Sequence, residues 1–173
     1  MQIISILQDS SFVFITLATI IGLIIGSFLN VVIYRLPEMM KRSWLRQCAE
    51  LRGEPLESIP PFNLISPRST CIHCGHKITA LENIPIISYI ALRGHCSQCH
   101  ANISLRYPAV EAITALMSGF VAWHFGFSLL ALAALIFVWA LIVLAVIDLD
   151  TQLLPDDITL PLLWFEIRVK IPW

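Results

Sequence analysis

The sequence predicts an all-α polytopic membrane protein with three to four transmembrane helices and a polar loop that carries paired cysteines. Three observations lead there. The 173 residues are 57% hydrophobic and only 13% charged, against roughly 45–50% and about 25% in an ordinary soluble domain. Mean hydropathy is +0.79. The apolar residues are gathered into runs, and one polar stretch between them holds most of the Lys and Arg. A disordered chain, a collagen-like chain and a typical soluble enzyme are excluded by this composition. A net charge of −1 argues against nucleic acid as a partner.

The first element is residues 1–34, an N-terminal transmembrane helix. From Phe12 to Tyr34 there is no charged residue in 23 positions, and 17 of these are Phe, Val, Ile, Leu, Ala or Tyr. A hydrocarbon core of about 30 Å needs roughly 20 helical residues, which this run supplies. A cleavable signal peptide is the rival reading; it wants a basic leader region, yet residues 1–11 hold no Lys or Arg and one acid, Asp9. Gly22-Leu-Ile-Ile-Gly26, with Ser27 and Asn30, gives the helix a small polar face. Such a face permits close helix approach, within the chain first and between chains second.

Residues 35–107 form the polar loop. Nine of the eleven Lys and Arg lie here, and the N-terminal flank has none, so the positive-inside rule places the loop in the cytoplasm and the N-terminus outside. Trp44–Leu51 reads as an amphipathic helix with Cys48 as a half-buried free thiol. Residues 108–173 return to the membrane. Ala109–Phe125 is a weaker span, interrupted by Glu111 and His124, and residues 124–128 form the turn to the next helix. Leu129–Ile147 is 19 consecutive Ala, Leu, Ile, Val, Phe and Trp; a soluble core helix is seldom apolar all round over this length. A fourth segment starts near Pro155 with Ile158–Trp164.

Two motifs carry chemistry. Cys71-Ile-His-Cys74 and Cys96-Ser-Gln-Cys99, 21 residues apart, can place four thiolates tetrahedrally about one Zn²⁺. Gly75 and Gly94 ease the adjoining turns. A cytoplasmic location argues against disulfides; a redox role for the C-x-x-C pairs is the alternative. Four protein ligands leave no open position, so the metal is structural. His73, His76, His95 and His100 are spare imidazoles. The second motif is acidic: Asp148-Leu-Asp150-Thr-Gln-Leu-Leu-Pro155-Asp156-Asp157. Asp156 or Asp157 suits a helix cap and Asp150 a solvated site. Asp148 closes the apolar span directly, and reads either as an interfacial cap or as a functional group. With a second carboxylate near it the two could share a proton, one acting as base on water and the other as acid. Glu111, within a span, is either functional or an interfacial acid paired with Arg106.

Gly26-Ser-Phe-Leu-Asn30-Val-Val-Ile-Tyr34-Arg-Leu-Pro37, the paired C-x-x-C loop, Arg106-Tyr-Pro-Ala-Val-Glu111 and Ile147-Asp148-Leu-Asp-Thr-Gln-Leu-Leu-Pro-Asp156 occur in this order. Together they resemble the bacterial type IV prepilin leader peptidase/N-methyltransferase family, membrane aspartic proteases of the GxGD type, over nearly the whole chain to about residue 164. The resemblance implies a multi-pass inner-membrane enzyme, its N-terminus periplasmic and its zinc-ribbon-like loop cytoplasmic. Its substrates are type IV prepilins or type II secretion pseudopilins, cut between Gly and Phe, with S-adenosylmethionine as methyl donor where the new N-terminus is methylated. It also implies that Asp148 is the first catalytic aspartate, with Asp156 and Glu111 as supporting candidates and Cys71, Cys74, Cys96 and Cys99 as metal ligands. The family's second aspartate sits in a G-x-G-D that these 173 residues do not contain. The expectation is a chain truncated at its C-terminus and inactive alone, or one completed by a separately supplied C-terminal half. A non-enzymatic zinc-ribbon scaffold for pilus or secretion assembly is the competing function; a transporter is disfavoured because no repeat or midplane site is evident.

Overall fold

The computed structural model describes residues 10–53, 62–79 and 81–170. The flank carrying Asp9, and the last residue, Trp173, lie outside them. The described chain is mostly helical: α1 is Ser11–Arg52, α2 Ile87–Ala91, α3 Arg106–Phe125, α4 Leu129–Thr151 and α5 Asp156–Lys170. Ser10 and Ser128 cap α1 and α4, their hydroxyls accepting from Val13 N–H at 3.5 Å and Ala131 N–H at 3.1 Å. One difference from the sequence reading is the length of α1. It does not stop at Tyr34 but continues for 42 residues, through Pro37, so that Trp44–Leu51 is its last part. Cys48 is exposed there rather than half-buried.

The fold is organised by an antiparallel seam between α1 and α3. The small residues predicted to allow close approach are buried in it. A Cβ at Gly22 would lie 2.5 Å from Ser118 Oγ and 2.9 Å from Ala115 Cα, and one at Gly26 would lie 2.8 Å from Glu111 Cα. One turn further along, the Asn30 side-chain amide donates to the Tyr107 carbonyl at 3.0 Å. The GxxxG face therefore serves packing within the chain. Thr114 and Ser118, both fully buried, turn their hydroxyls back onto the Val110 and Thr114 carbonyls at 2.7 Å each. This satisfies them without a partner on α1.

Helix α4 packs on both seam helices. Trp139 Nε1 donates to Ser118 Oγ at 2.9 Å. Leu29, Ile33 and Leu36 of α1 meet Val110 of α3 and Val143 and Ile147 of α4, forming an apolar cluster at the end where the cysteine loop emerges. At the opposite end Phe14 meets Phe127 of the α3–α4 turn edge-on, centroids 5.4 Å apart.

Two of the described helices, α1 and α4, are long and apolar enough to cross a membrane. Only 28% of the apolar window of each is buried, so most of that surface faces outward, with Ile24, Phe28, Leu132 and Ile136 prominent on it. A soluble protein does not leave two such faces to water.

The seam makes a direct prediction. Gly26→Ala forces backbone against backbone and is expected to cost about 1–3 kcal/mol, lowering the unfolding midpoint in detergent by several degrees. Gly119→Ala meets only Thr19 Oγ1 at 2.6 Å, a side-chain tip, and is expected to lower it less. Equal losses at the two positions would show that backbone approach does not limit this seam.

Candidate functional site

The cysteine module is built from two knuckles of the same design. In the first, Cys71 N–H donates to the His76 carbonyl at 2.8 Å and Gly75 N–H returns to the Cys71 carbonyl at 2.9 Å. In the second, Cys96 N–H donates to the Ala101 carbonyl at 2.9 Å and His100 N–H to the Cys96 carbonyl at 3.1 Å. Antiparallel bridges Thr70–Lys77 and His95–Asn102 close them. The residue after each C-x-x-C is left-handed: Gly75 at φ +73° and His100 at φ +56°. His100, expected only as a spare imidazole, thus takes the turn position in the second knuckle. Gly94, at φ +73°, serves instead the turn after α2, where a Cβ would lie 2.8 Å from the Tyr89 hydroxyl.

The four sulfurs converge, all within 4.8 Å of one another, with Cys71–Cys99 at 3.8 Å and Cys74–Cys96 at 4.0 Å. Four sulfurs at about 2.3 Å from a tetrahedral Zn²⁺ stand about 3.8 Å apart, so the residues can hold a metal ion of that size. Their protonation points the same way. Backbone N–H groups of Cys74 and His73 bring the Cys71 thiol down to about 6, and those of Cys99 and Gln98 lower Cys96. At Cys74 the His76 N–H also favours the thiolate. Desolvation and the sulfurs of Cys99, Cys71 and Cys96 outweigh it and push the thiol up to about 12. Without a cation the cluster therefore keeps a proton that a bound divalent metal would expel.

Glu82 ties the knuckles together. Its carboxylate accepts from the Ser97 hydroxyl of the second knuckle, from Thr79 N–H and hydroxyl at 2.8 Å each, and lies 3.2 Å from His76 Nε2. The Ser97 hydroxyl first, then Thr79, hold its pKa at about 2, well below the ordinary 4.5. The stability this contributes is fully present above 4.5 and is lost as pH falls through about 2. The sequence reading missed Glu82, since a lone acid between two C-x-x-C pairs has no signature. It also took Arg35 as a flanking charge only. Arg35 is buried, donating to the Asn63 and Pro67 carbonyls at 2.8 and 2.6 Å, and so ties the loop to α1.

The acids are placed as follows. Asp148 is on the last turns of α4, exposed, and its side chain makes no hydrogen bond or ion pair among the described residues. Asp150, read as solvated, instead forms an ion pair with Arg106. The helix ends at Gln152, φ +52°, whose N–H returns to the Asp148 carbonyl at 2.9 Å. Pro155 is fully buried, and its carbonyl accepts from Ile158 and Thr159 N–H at 3.1 Å each. Asp156 and Asp157 occupy the first turn of α5, where acids suit the helix dipole. Glu111 is buried and not paired with Arg106; its Oε2 accepts from Ile86 N–H at 2.7 Å.

The purified chain is expected to hold one Zn²⁺ by elemental analysis, and Cys71→Ser to lose it. Glu82→Gln is expected to weaken metal affinity by about tenfold in chelator competition, as outer-sphere changes do. Unchanged affinity would remove Glu82 from the metal centre.

Residues 20–125 match the family model described as the bacterial peptidase A24 N-terminal domain, and residues 135–171 match the type IV leader peptidase family. A prepilin leader peptidase/N-methyltransferase of Stutzerimonas stutzeri is 52% identical over 165 residues, 95% of this chain and 57% of that protein. The Pseudomonas aeruginosa protein of the same name is 49% identical over 168 residues, 96% of this chain and 58% of its own length. That of Legionella pneumophila is 47% identical over 147 residues, 84% and 51%. The chain thus spans about half the length of the curated relatives it matches. No solved structure matches it. With the first model covering the α1–α3 seam and the cysteine knuckles together, the chain belongs to the bacterial A24 peptidase family, the type IV leader peptidases.

Proposed function

We propose that this chain forms the N-terminal part of a prepilin leader peptidase and that Asp148 is one of its two catalytic carboxylates. The observation that carries the proposal is the environment of Asp148. It lies exposed at the end of an apolar helix, while its neighbour Asp150 is committed to Arg106. The ion pair anchors the end of α4 to the start of α3 and leaves the Asp148 carboxylate free to meet substrate. Peptide hydrolysis by carboxylates needs one to take a proton from water and one to give a proton to the carbonyl. The second belongs to a G-x-G-D, which these 173 residues do not hold. Asp156 supports the corner as a first-turn residue of α5 rather than acting on water.

The surrounding assignments follow from the same reading. Residues 1–34, 35–107 and 108–173 act as anchor, loop and start of the peptidase core, though α1 carries the anchor on into the loop. α1, α3 and α4 span the inner membrane, with α5 beginning a fourth span. The excess of Lys and Arg keeps the cysteine loop and Asp148 on the cytoplasmic side and the N-terminus in the periplasm. The metal is Zn²⁺, held by Cys71, Cys74, Cys96 and Cys99 as a closed structural site. Substrates are type IV prepilins or pseudopilins with a basic leader and an apolar helix, cut at a Gly–Phe bond, and the lipid bilayer holds enzyme and substrate helix alike. The relatives' name adds N-methylation. S-adenosylmethionine, when bound, supplies an electrophilic methyl group. A cavity of about 490 Å³ bounded by α1, α3 and the cysteine module is large enough to take such a ligand.

The test is a chimera of this chain with the C-terminal part of the Stutzerimonas stutzeri relative, assayed on a prepilin in detergent. Cleavage is expected, with Asp148→Asn reducing it by about 10²–10⁴-fold and Asp156→Asn by much less. The 173 residues alone are expected to show none. Cleavage by the isolated chain, or by the Asp148→Asn chimera, would overturn the assignment.

A further inference from the structure

The polar loop holds an apolar face that its neighbours leave open. No residue from Asn83 to Leu92 is charged, and α2 lies within this stretch. Ile87 and Ile90, three residues apart, share one side of α2 and are 65% and 68% exposed. Ile84 comes one turn earlier and is 37% exposed. Ser88 N–H returns to its carbonyl at 3.1 Å, so Ile84 continues the same helical path. Another side of α2 is taken by the second knuckle: the Tyr89 hydroxyl donates to the Ile103 carbonyl at 3.3 Å and stands 2.8 Å from where a Cβ on Gly94 would lie. Isoleucines gathered on one side of a short helix and left open there mark a contact surface.

The level of α2 identifies what that surface touches. Ile86 N–H, directly before α2, donates to Glu111 Oε2 at 2.7 Å. The Glu111 Cα lies 2.8 Å from where a Cβ on Gly26 of α1 would stand. Tyr107, one turn nearer the start of α3, is bonded to Asn30 of α1. Gly26 and Asn30 both belong to the uncharged run of α1, which ends only at Arg35. At about 1.5 Å per residue, Asn30 is about 7 Å short of that charge and Gly26 about 13 Å. The start of α2 is therefore docked at a height where α1 is still apolar. Five residues long, α2 spans about 7 Å, so even pointed straight away from the span its far end reaches about the level of Arg35. Arg93 follows that end; it is exposed, and its guanidinium has no partner among the described residues.

We propose that residues 84–92 form an interfacial membrane anchor, with Ile84, Ile87 and Ile90 entering the acyl-chain region and Arg93 at the level of the lipid phosphates. An uncharged segment with its apolar side outward and a cation at its end has the pattern of an element lying in the interface, and the long Arg stem lets the charge stay among the headgroups. The occupant is lipid because lipid surrounds α1 at the height where α2 is docked. The inference rests on the reading of α1 and α3 as membrane spans. It adds that the cysteine module is pinned to the bilayer through its own segment between the two knuckles, rather than hanging from α1 and α3 alone.

Photolabelling tests this on the unaltered, zinc-loaded chain. The chain is placed in vesicles of phosphatidylethanolamine and phosphatidylglycerol with a trace of phosphatidylcholine carrying a diazirine midway along one acyl chain, and labelled peptides are read by mass spectrometry. Leu51 is the aqueous control, 88% exposed and sixteen residues beyond Arg35 on α1. Residues 84–92 are expected to be labelled along with α1 and α4, about tenfold above the peptide containing Leu51. Label on α1 and α4 but not on 84–92 overturns the anchor and keeps the spans; a second copy or another protein covering the patch gives this same result. Absence of label from α1 and α4 overturns the spans and the anchor together. A second measurement uses Ile87→Cys and Leu51→Cys, each combined with Cys48→Ser, and a charged maleimide. The thiol at 87 is expected to react about tenfold more slowly than that at 51, since a thiol in lipid is shielded and protonated. Equal rates overturn the anchor. The photolabelling needs no variant, so it decides even where a substituted chain fails to fold.

Discussion

Everything in this molecule hangs on how closely α1 and α3 approach. Dispersion falls off steeply with separation, so contact distance decides how much packing and local polar bonding the seam gains. Gly22 and Gly26 remove the side chains that would hold the helices apart, and Ser118, Thr114 and Ala115 fill the space with little more than a methyl or hydroxyl each. The same closeness brings Asn30 within reach of the Tyr107 carbonyl and sets the Glu111 backbone against Gly26. A single larger residue in the seam would move the wall of the cavity and the root of the cysteine loop together.

The cysteine module is coupled to that seam at both of its ends. Arg35, just past the apolar run of α1, takes carbonyls of residues 63 and 67 before the first knuckle. Glu111 takes the Ile86 amide from the segment between the knuckles. Between these anchors, Glu82 links Ser97 and His76 across the two C-x-x-C pairs. A metal ion held by the four cysteines would cross-link parts of the loop that α1 and α3 have already positioned. In a module with almost no apolar core, such binding would supply folding free energy that burial cannot.

Some of this was legible in residue order alone. The apolar runs at 12–34 and 129–147 became helices because length and composition leave the backbone no other way to satisfy its hydrogen bonds in lipid. The spacing of Cys71, Cys74, Cys96 and Cys99 was sufficient to anticipate their convergence, since each pair forms a local turn. The GxxxG pattern correctly implied a packing face. Failures fell where a local signal competed with a distant partner. The first transmembrane element was read as residues 1–34, yet α1 runs on to Arg52. Cys48 was taken as half-buried on an amphipathic helix but is exposed. One of the two readings of Glu111 paired it with Arg106, five residues away, but Arg106 reaches Asp150 across the helix pair.

The sequence by itself determined the class of the protein: which segments are apolar enough for lipid, where four thiolates lie in pairs, and that an acid closes the last long apolar run. These are properties of composition and short-range spacing, and they survive without knowledge of the partner of any residue. Tertiary structure alone decided which acids are engaged and which are free. Asp150 is taken by Arg106, Glu82 by the knuckles and one oxygen of Glu111 by Ile86, while Asp148 and Asn30 Oδ1 are left without partners among the described residues. The reason is that an ion pair or a hydrogen bond depends on separation in space to within a few tenths of an ångström, and helices brought together from distant parts of the chain set that separation.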